Sequence, residues 1–423
     1  MKLKLKASRK QLDCIACSTD ASGIIGNAAC VYFPKSAEEI CRIVASNSNI
    51  TARGGGSGLA GGAVPLNSCV IDMSKLNKII SIDEARKTAY VEAGVILDEL
   101  NAELEKKGLE FPVNPSSHAI CTIGGMIATN AVGSRAMRYG RTANWVEYID
   151  VVNSRGEIKR MGKADLNDFS GMEGTTGIIA GAVLKLIKKP ERTASLIKTD
   201  SFVKIAEALS IFRLENDVSM MEFIDKKASE LAGLEKIYHL IAEFESGKGE
   251  IKGGEYAKLL AVRDSIYPKL ASQGYSVIED PKIFSSKIRE FLDYLEDNGI
   301  PCFGHLGSGI LHPCFSQEKS EKIPEMMRLV KKLHGNITGE HGIGLLKKQF
   351  LDDTEKKLIY VIKKRMDRLN KFNPGKMVDF ASEKAEEKIE NQEAKKEQAD
   401  IEIKESNEKM EEGNKQGGEN GKT

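Results

Sequence analysis

The sequence predicts a mixed fold, α+β or α/β, arranged as two folded domains and a charged tail. Three observations carry that reading. Residues 1–190 alternate short β-branched strand patterns with helical ones and are rich in Gly and Ala. Residues 191–379 carry longer helical patterns interrupted by a stretch of Gly and His. From Glu383 the chain turns to Glu, Lys, Asn, Gln and Gly with almost nothing apolar, so residues 380–423 form a tail that cannot bury enough surface to fold. Alternating strands and helices pack as layers, and 423 residues exceed one ordinary core.

In the first domain, β-branched runs at 69–73, 88–93 and 148–153 read as strands. Residues 36–46 follow Pro34 and open with Ser-x-x-Glu, so Ser36 and Glu39 predict a capped helix start. Residues 95–108 are amphipathic and stop at a glycine. In the second domain, helices are expected at 201–214, 254–271, 281–298 and 354–369. The stretch 304–344 is taken as helix-free because of its Gly and His content. The opening MKLKLKASRK reads as a short alternating strand.

Bulk properties narrow the class. Apolar residues make up 41%, charged residues 29%, and the net charge is +1. That is the profile of a soluble globular protein, with no basic excess for nucleic acid. Lys188-Lys189 and Lys347-Lys348 read as solvated faces. No apolar run approaches the ~20 residues that span a bilayer, and the opening residues lack the apolar segment of a signal peptide. Eight cysteines without a secretory signal point to reduced thiols in a cytoplasm. Cys14 and Cys17 form a lone CxxC, read as structural.

The sharpest local feature is Arg53-Gly54-Gly55-Gly56-Ser57-Gly58-Leu59-Ala60-Gly61-Gly62. Residues 56–61 satisfy GxGxxG, but the dinucleotide fingerprint needs a helix directly afterwards and an acidic residue ~20 positions on. Ala63-Val64-Pro65 and a strand follow instead, so the Rossmann reading fails. Glycine N–H groups can still converge on an anion as a nest, with Arg53 anchoring the loop by charge or by a hydrogen bond within the fold. Thr122-Ile123-Gly124-Gly125-Met126-Ile127-Ala128-Thr129-Asn130 opens a helix whose N–H groups could also face phosphate. Asn114-Pro115-Ser116-Ser117 before it supplies hydroxyls. A third turn, Gly171-Met172-Glu173-Gly174-Thr175-Thr176-Gly177, leads into an apolar strand at 178–187.

In this order, the four segments resemble the FAD-binding domain of the vanillyl-alcohol-oxidase (PCMH-type) flavoproteins. The resemblance implies the α+β class and a two-subdomain FAD-binding domain. Its first loop would hold the pyrophosphate through Arg53, Gly54, Gly55, Gly56, Ser57, Gly58, Leu59 and Gly61. The later turns would line the ribityl chain and isoalloxazine through Pro115, Ser116, Ser117, Thr122, Gly124, Gly125, Ala128 and Asn130, then Glu173, Gly174, Thr176, Gly177, Ile178 and Ile179. Some members tether FAD through a first-loop histidine. None lies between residues 50 and 117, so non-covalent FAD is implied.

Four of the six histidines fall between 305 and 341. Three of them sit in Gly304-His305-Leu306-Gly307-Ser308-Gly309-Ile310-Leu311-His312 and Gly339-Glu340-His341-Gly342. Imidazole with carboxylate suits a borderline divalent ion such as zinc, and the glycines allow two rings to converge. His118, His239 and His334 lack a partner motif and read as structural.

Both segments resemble the C-terminal domain of FAD-linked D-lactate, D-2-hydroxyglutarate and glycolate dehydrogenases. The resemblance spans roughly residues 18–380. It implies His305, His312 and Glu340 as metal ligands, His341 as base, and Asn373 in Asn373-Pro374-Gly375-Lys376 beside the flavin. Arg263 falls where a substrate-carboxylate arginine is expected, a role that bidentate pairing suits. Ser308 and Ile310 replace the usual Asp and Asn, which bears on support of the ligands or on which acid fits. The region between the domains is also shorter than in many relatives.

The implied activity is oxidation of a D-2-hydroxy acid of the D-lactate, glycolate or D-2-hydroxyglutarate type to the 2-oxo acid. Cysteines lack iron–sulfur spacing, so electrons are expected to pass to a separate protein or quinone. The expected location is cytoplasmic or peripheral at a membrane, with no transmembrane segment, no nucleic acid, and room for a homodimer. Two other classes share the fold. One is a non-redox relative resembling alkyl-dihydroxyacetone-phosphate synthase, which lacks the His/His/Glu set. The other is a non-catalytic flavoprotein serving assembly or electron transfer. NADPH-reductase relatives lack the C-terminal histidines.

Overall fold

The computed structural model describes residues 6–380. The charged tail and half of the opening alternating pattern lie outside the described residues. Of that opening segment, Ser8 makes a single antiparallel bridge to Val31.

Two sheets enclose the first core. A parallel sheet runs Asn27–Tyr32, Leu66–Asp72, Ile50–Arg53 in spatial order. An antiparallel sheet runs Ile79–Asp83, Thr88–Glu92, Ile178–Lys185, Val146–Val152, Ile158–Gly162. Ile71, Val91, Leu100, Phe111, Ile149 and Leu184 fill the space between these layers. Phe372 joins them from the far end of the described chain: Ile50 N–H donates to Lys371 O (2.8 Å), and Ile50 bridges Phe372 in parallel.

The third sheet is antiparallel and has six strands, in the order Thr193–Thr199, Tyr238–Phe244, Val218–Ile224, Cys302–His305, Ile310–Phe315, Val277–Ile278. Helices Phe202–Phe212, Ile288–Asp297 and Ile323–Lys332 cover one face and build the second core with Phe223, Leu240, Phe291 and Phe315. Tyr238–Phe244 is buried along its whole length, because Leu240 and Ala242 face this core while Ile241 faces a smaller cluster behind. Burial on both faces explains its apolar middle, Leu240-Ile241-Ala242.

Two helix expectations change in the structure. Residues 254–271 break into Gly253–Asp264 and Ile266–Ser272, because Pro268 has no N–H for the carbonyl of Asp264. Residues 281–298 keep only Ile288–Asp297. Ahead of it, Lys282 N–H donates to Asn336 O (2.9 Å) and Ile283 N–H to Gly309 O (2.8 Å), which holds that segment extended. Conversely, 304–344 is not helix-free. Ile323–Lys332 buries Met326, Met327 and Val330 at helical spacing, with a proline in its first turn. The glycines fall only at its ends.

Ser36 caps the helix Ala37–Ser46 as expected, accepting from Glu39 N–H at 3.3 Å. Glu39 reaches back to Lys35 N–H (2.7 Å), one residue earlier than a capping box requires. Ser36→Ala is expected to destabilise the protein by about 1 kcal/mol in urea unfolding. Among the described residues, no helix is long and apolar enough to cross a membrane.

Candidate active site

One cavity of about 440 Å³ is lined from both halves of the chain. The first half supplies Arg53 to Leu59, Pro115 to Ser117, Thr122, Gly124, Gly125, Ala128, and Glu173 with Gly174 and residues 177–179. The second half supplies Arg263, Tyr267, Ile278, Phe303, His312, Glu340 and His341.

The glycine loop leaves strand Ile50–Arg53 and lies directly on the turn at 120–122. A Cβ on Gly55 would stand 1.9 Å from Ile120 O, and one on Gly54 would stand 2.4 Å from Thr122 Oγ1. No side chain fits there. Arg53 Nη1 donates to Thr19 O (2.6 Å), so its anchoring is a bond within the fold. Among the described residues, the N–H groups of Gly55, Gly56, Ser57, Gly58 and Leu59 have no hydrogen-bond partner, and all five residues line the cavity. A run of unpaired amides beside a cavity suits a diphosphate.

The helix Ile123–Thr129 corrects a second expectation. Its leading N–H groups do not face a ligand. Ile123 donates to Val95 O (2.9 Å), Gly124 to Ala93 O (2.8 Å) and Gly125 to Thr122 Oγ1 (3.3 Å). Four predicted flavin contacts also stand outside the cavity lining. Gly61 packs under Leu345, and Asn130 caps the helix in the left-handed region while accepting from Ala143 N–H (3.1 Å). Thr176 is buried with its hydroxyl unpartnered. Asn373 donates to Glu173 O (2.7 Å) and Gly62 O (3.2 Å), bracing the loop from behind.

The histidines are set by sheet register. Glu222 pairs with His305, and Phe303 with His312, across neighbouring strands, so all four side chains share one face. His305 Nδ1 donates to Glu222 Oε1 at 2.5 Å, while Arg263 Nε donates to Glu222 Oε2 at 2.7 Å. His305 thereby turns Nε2 toward Glu340. Glu340 Oε1 lies 3.2 Å from His312 Nε2 and 3.6 Å from His305 Nε2. Tetrahedral zinc with these donors would hold them about 3.3 Å apart, and His312 Nδ1 is buried without a partner. Among the described residues, this is the one group of three or more His, Cys, Asp or Glu spaced to hold a metal.

The charges agree with that spacing. Burial alone would lower the His305 pKa, but the Glu222 and Glu340 carboxylates push it up to about 9. Burial opposes ionisation of Glu222, yet Arg263 and His305 hold its carboxyl at about 2. Two carboxylates flanking one imidazole call for positive charge at this point, which a bound cation would supply.

Glu340 and His341 ride on a loop fastened by Asp280. Asp280 Oδ2 accepts from Thr338 Oγ1 (2.9 Å) and from the N–H groups of Gly339 (2.9 Å), Glu340 (2.6 Å) and His341 (2.7 Å). The His341 ring lies parallel to His312 at 5.3 Å, with Nε2 3.4 Å from Glu340 Oε1 and Nδ1 3.6 Å from Asp280 Oδ1. Lys347, expected on a solvated face, is instead buried against Asp280 and Glu279, because that acidic pair needs a cation inside. Glu173 reaches across from the first half to accept from Ile343 N–H (2.6 Å) and Gly344 N–H (3.0 Å).

Arg263 lines the cavity but is already engaged. Besides Glu222, its Nη1 donates to Asp264 Oδ1 (2.8 Å) and to Ser116 Oγ (3.0 Å). Ser308 Oγ donates to His305 O (3.1 Å), and Ile310 packs on Gly339 behind the Glu340 loop. Glu222 and Asp280 carried no motif, and nothing local in the sequence could have marked them. Cys14 and Cys17 are free thiols.

Together the fold and the cavity define a two-part flavoprotein. Residues 28–162 match the FAD binding domain model, and residues 253–377 match that of the FAD linked oxidases, C-terminal domain. The chain is 30% identical to a D-lactate dehydrogenase of Archaeoglobus fulgidus, over 82% of this chain and 91% of that protein. It is 29% identical to glycolate oxidase subunit GlcD of Bacillus subtilis (82% and 88%) and 28% to a D-2-hydroxyglutarate dehydrogenase of Xanthomonas citri (84% and 90%). An alkyldihydroxyacetonephosphate synthase structure superposes with a TM-score of 0.65 at 18% identity, over 88% of this chain and 82% of that one. That likeness extends to the fold. The chain belongs to the FAD-linked oxidoreductase family.

Proposed function

We propose that this protein oxidises a D-2-hydroxy acid, of the D-lactate, glycolate or D-2-hydroxyglutarate type, to the 2-oxo acid. FAD would be held non-covalently by the glycine loop and the turns at 115–125 and 173–179. A divalent ion, zinc by the donor set, would lie between His305, His312 and Glu340. The observation that carries this reading is the convergence of His312 and Glu340 at the cavity wall with His305 beside them, facing the run of unpaired amides on the other wall. The two separate cores support a boundary near Glu191 between a cofactor half and a substrate half.

Bound FAD supplies a hydride acceptor, and a bound cation acidifies the substrate hydroxyl. The remaining work belongs to side chains. Glu222 fixes the His305 tautomer, and Arg263 fixes Glu222. His341 takes the hydroxyl proton, and Asp280 beside its ring steadies the charge gained. Arg263 Nη1 exchanges Asp264, half exposed, for the substrate carboxylate. Electrons then leave to a separate protein or quinone.

The test is an anaerobic panel of D- and L-2-hydroxy acids added to the FAD-loaded protein, with and without chelator. Flavin bleaching by a D acid, abolished by chelator and restored by zinc, is expected. Bound flavin that no D-2-hydroxy acid bleaches would overturn the reading.

A further inference from the structure

We propose that the acid taken by this site is a monocarboxylate with an apolar side chain, and that 2-hydroxy dicarboxylates are turned away. The proposal rests on the D-2-hydroxy acid reading above and concerns the wall beside the histidines. Tyr267, Pro268, Ile278 and Phe303 line the cavity together with His312, Glu340 and His341. The Phe303 and His312 ring centroids are 5.1 Å apart. Ile278 pairs with Cys314, two residues beyond His312 on the same face of the sheet.

This wall is supported from behind. Tyr267, Ile278 and Phe303 pack on the buried cluster of Ile224, Ile266, Leu270 and Cys314, so the apolar surface is part of a core and not a loose flap. The Tyr267 hydroxyl donates to Ser276 O (2.9 Å), which commits its polar atom to the backbone.

Charge points the same way. Among the described residues lining the cavity, the cations are Arg53 and Arg263. Arg53 belongs to the glycine loop and is held by Thr19 O. Arg263 already faces Glu222 and Asp264. One incoming carboxylate can take the place of Asp264. A second would meet an apolar wall with no cation, beside the carboxylates of Asp264 and Glu340, and burying an unpaired charge is strongly disfavoured. An isobutyl or benzyl group would instead cover apolar surface.

The experiment compares kcat/KM of the FAD-loaded protein for D-2-hydroxy-4-methylpentanoate and D-3-phenyllactate with that for D-2-hydroxyglutarate. Calorimetric binding of the matching 2-oxo acids gives a readout independent of turnover. The apolar acids are expected to lead by about 100-fold in kcat/KM, with affinities in the same order. Ile278→Lys is expected to narrow the gap by adding the missing cation. D-2-hydroxyglutarate equal to or better than both apolar acids overturns this proposal while leaving hydroxy-acid oxidation intact. Failure of every D-2-hydroxy acid to reduce the flavin defeats the underlying reading, and this one with it.

Discussion

Replacing His341 by glutamine is expected to lower kcat on a D-2-hydroxy acid by about a hundred- to ten-thousandfold, with FAD content unchanged. His341 is the one imidazole at the cavity that the ligand spacing does not use. It lies parallel to His312 and within 3.4 Å of Glu340, close enough to reach a hydroxyl held by the neighbouring three. Glutamine keeps polarity and much of the volume but cannot take up a proton. Because the interaction belongs to the transition state, kcat and kcat/KM should fall together. A variant that kept its flavin and turned over within a few-fold of the natural protein would remove His341 from this role.

The second large effect concerns Asp280. Asp280→Ala is expected to destabilise the protein by about 3 kcal/mol, because it leaves the buried Lys347 with Glu279 as its one remaining carboxylate and removes the acceptor shared by the 338–341 loop. Burial would push the Asp280 carboxyl up, yet the charges of His341 and Lys347, with the donated N–H groups, hold it at about 2. Three donors, Thr338 Oγ1 and the N–H groups of Glu340 and His341, lose their acceptor at once, while Gly339 N–H keeps Asp280 O (2.7 Å), so Glu340 loses its position too. Urea unfolding of the metal-free proteins reads the stability, and metal analysis of the loaded proteins reads the loop. A variant as stable as the natural protein, still taking up one zinc, would show that the loop holds itself.

Much of the architecture was legible because steric necessity leaves a mark in sequence. Gly54 and Gly55 must be glycine where the backbone touches the 120–122 turn, and imidazoles on two neighbouring strands of a hairpin must recur at fixed spacing. The helix at 323–332 was missed because Gly and His at its two ends were taken to describe its middle. The free helix amides expected after Thr122 were miscounted because their acceptors, Val95 O and Ala93 O, lie in another element. Glu222, Asp280 and the cross-reaching role of Glu173 were illegible for a similar reason. Each acts on a partner that folding alone brings near, and a lone acidic residue in a strand or loop looks like any other. Lys347 belongs with them, since only the buried acids beside it distinguish it from Lys348.

Phe372 imposes an order of completion on this molecule. Ile50 and its neighbours leave the ribosome early, yet the slot they line is filled only when Phe372 arrives. Until then the first half is expected to keep an open apolar groove. A chain cut short before Phe372 is therefore expected to leave its first core unfinished even though its flavin loops are all present.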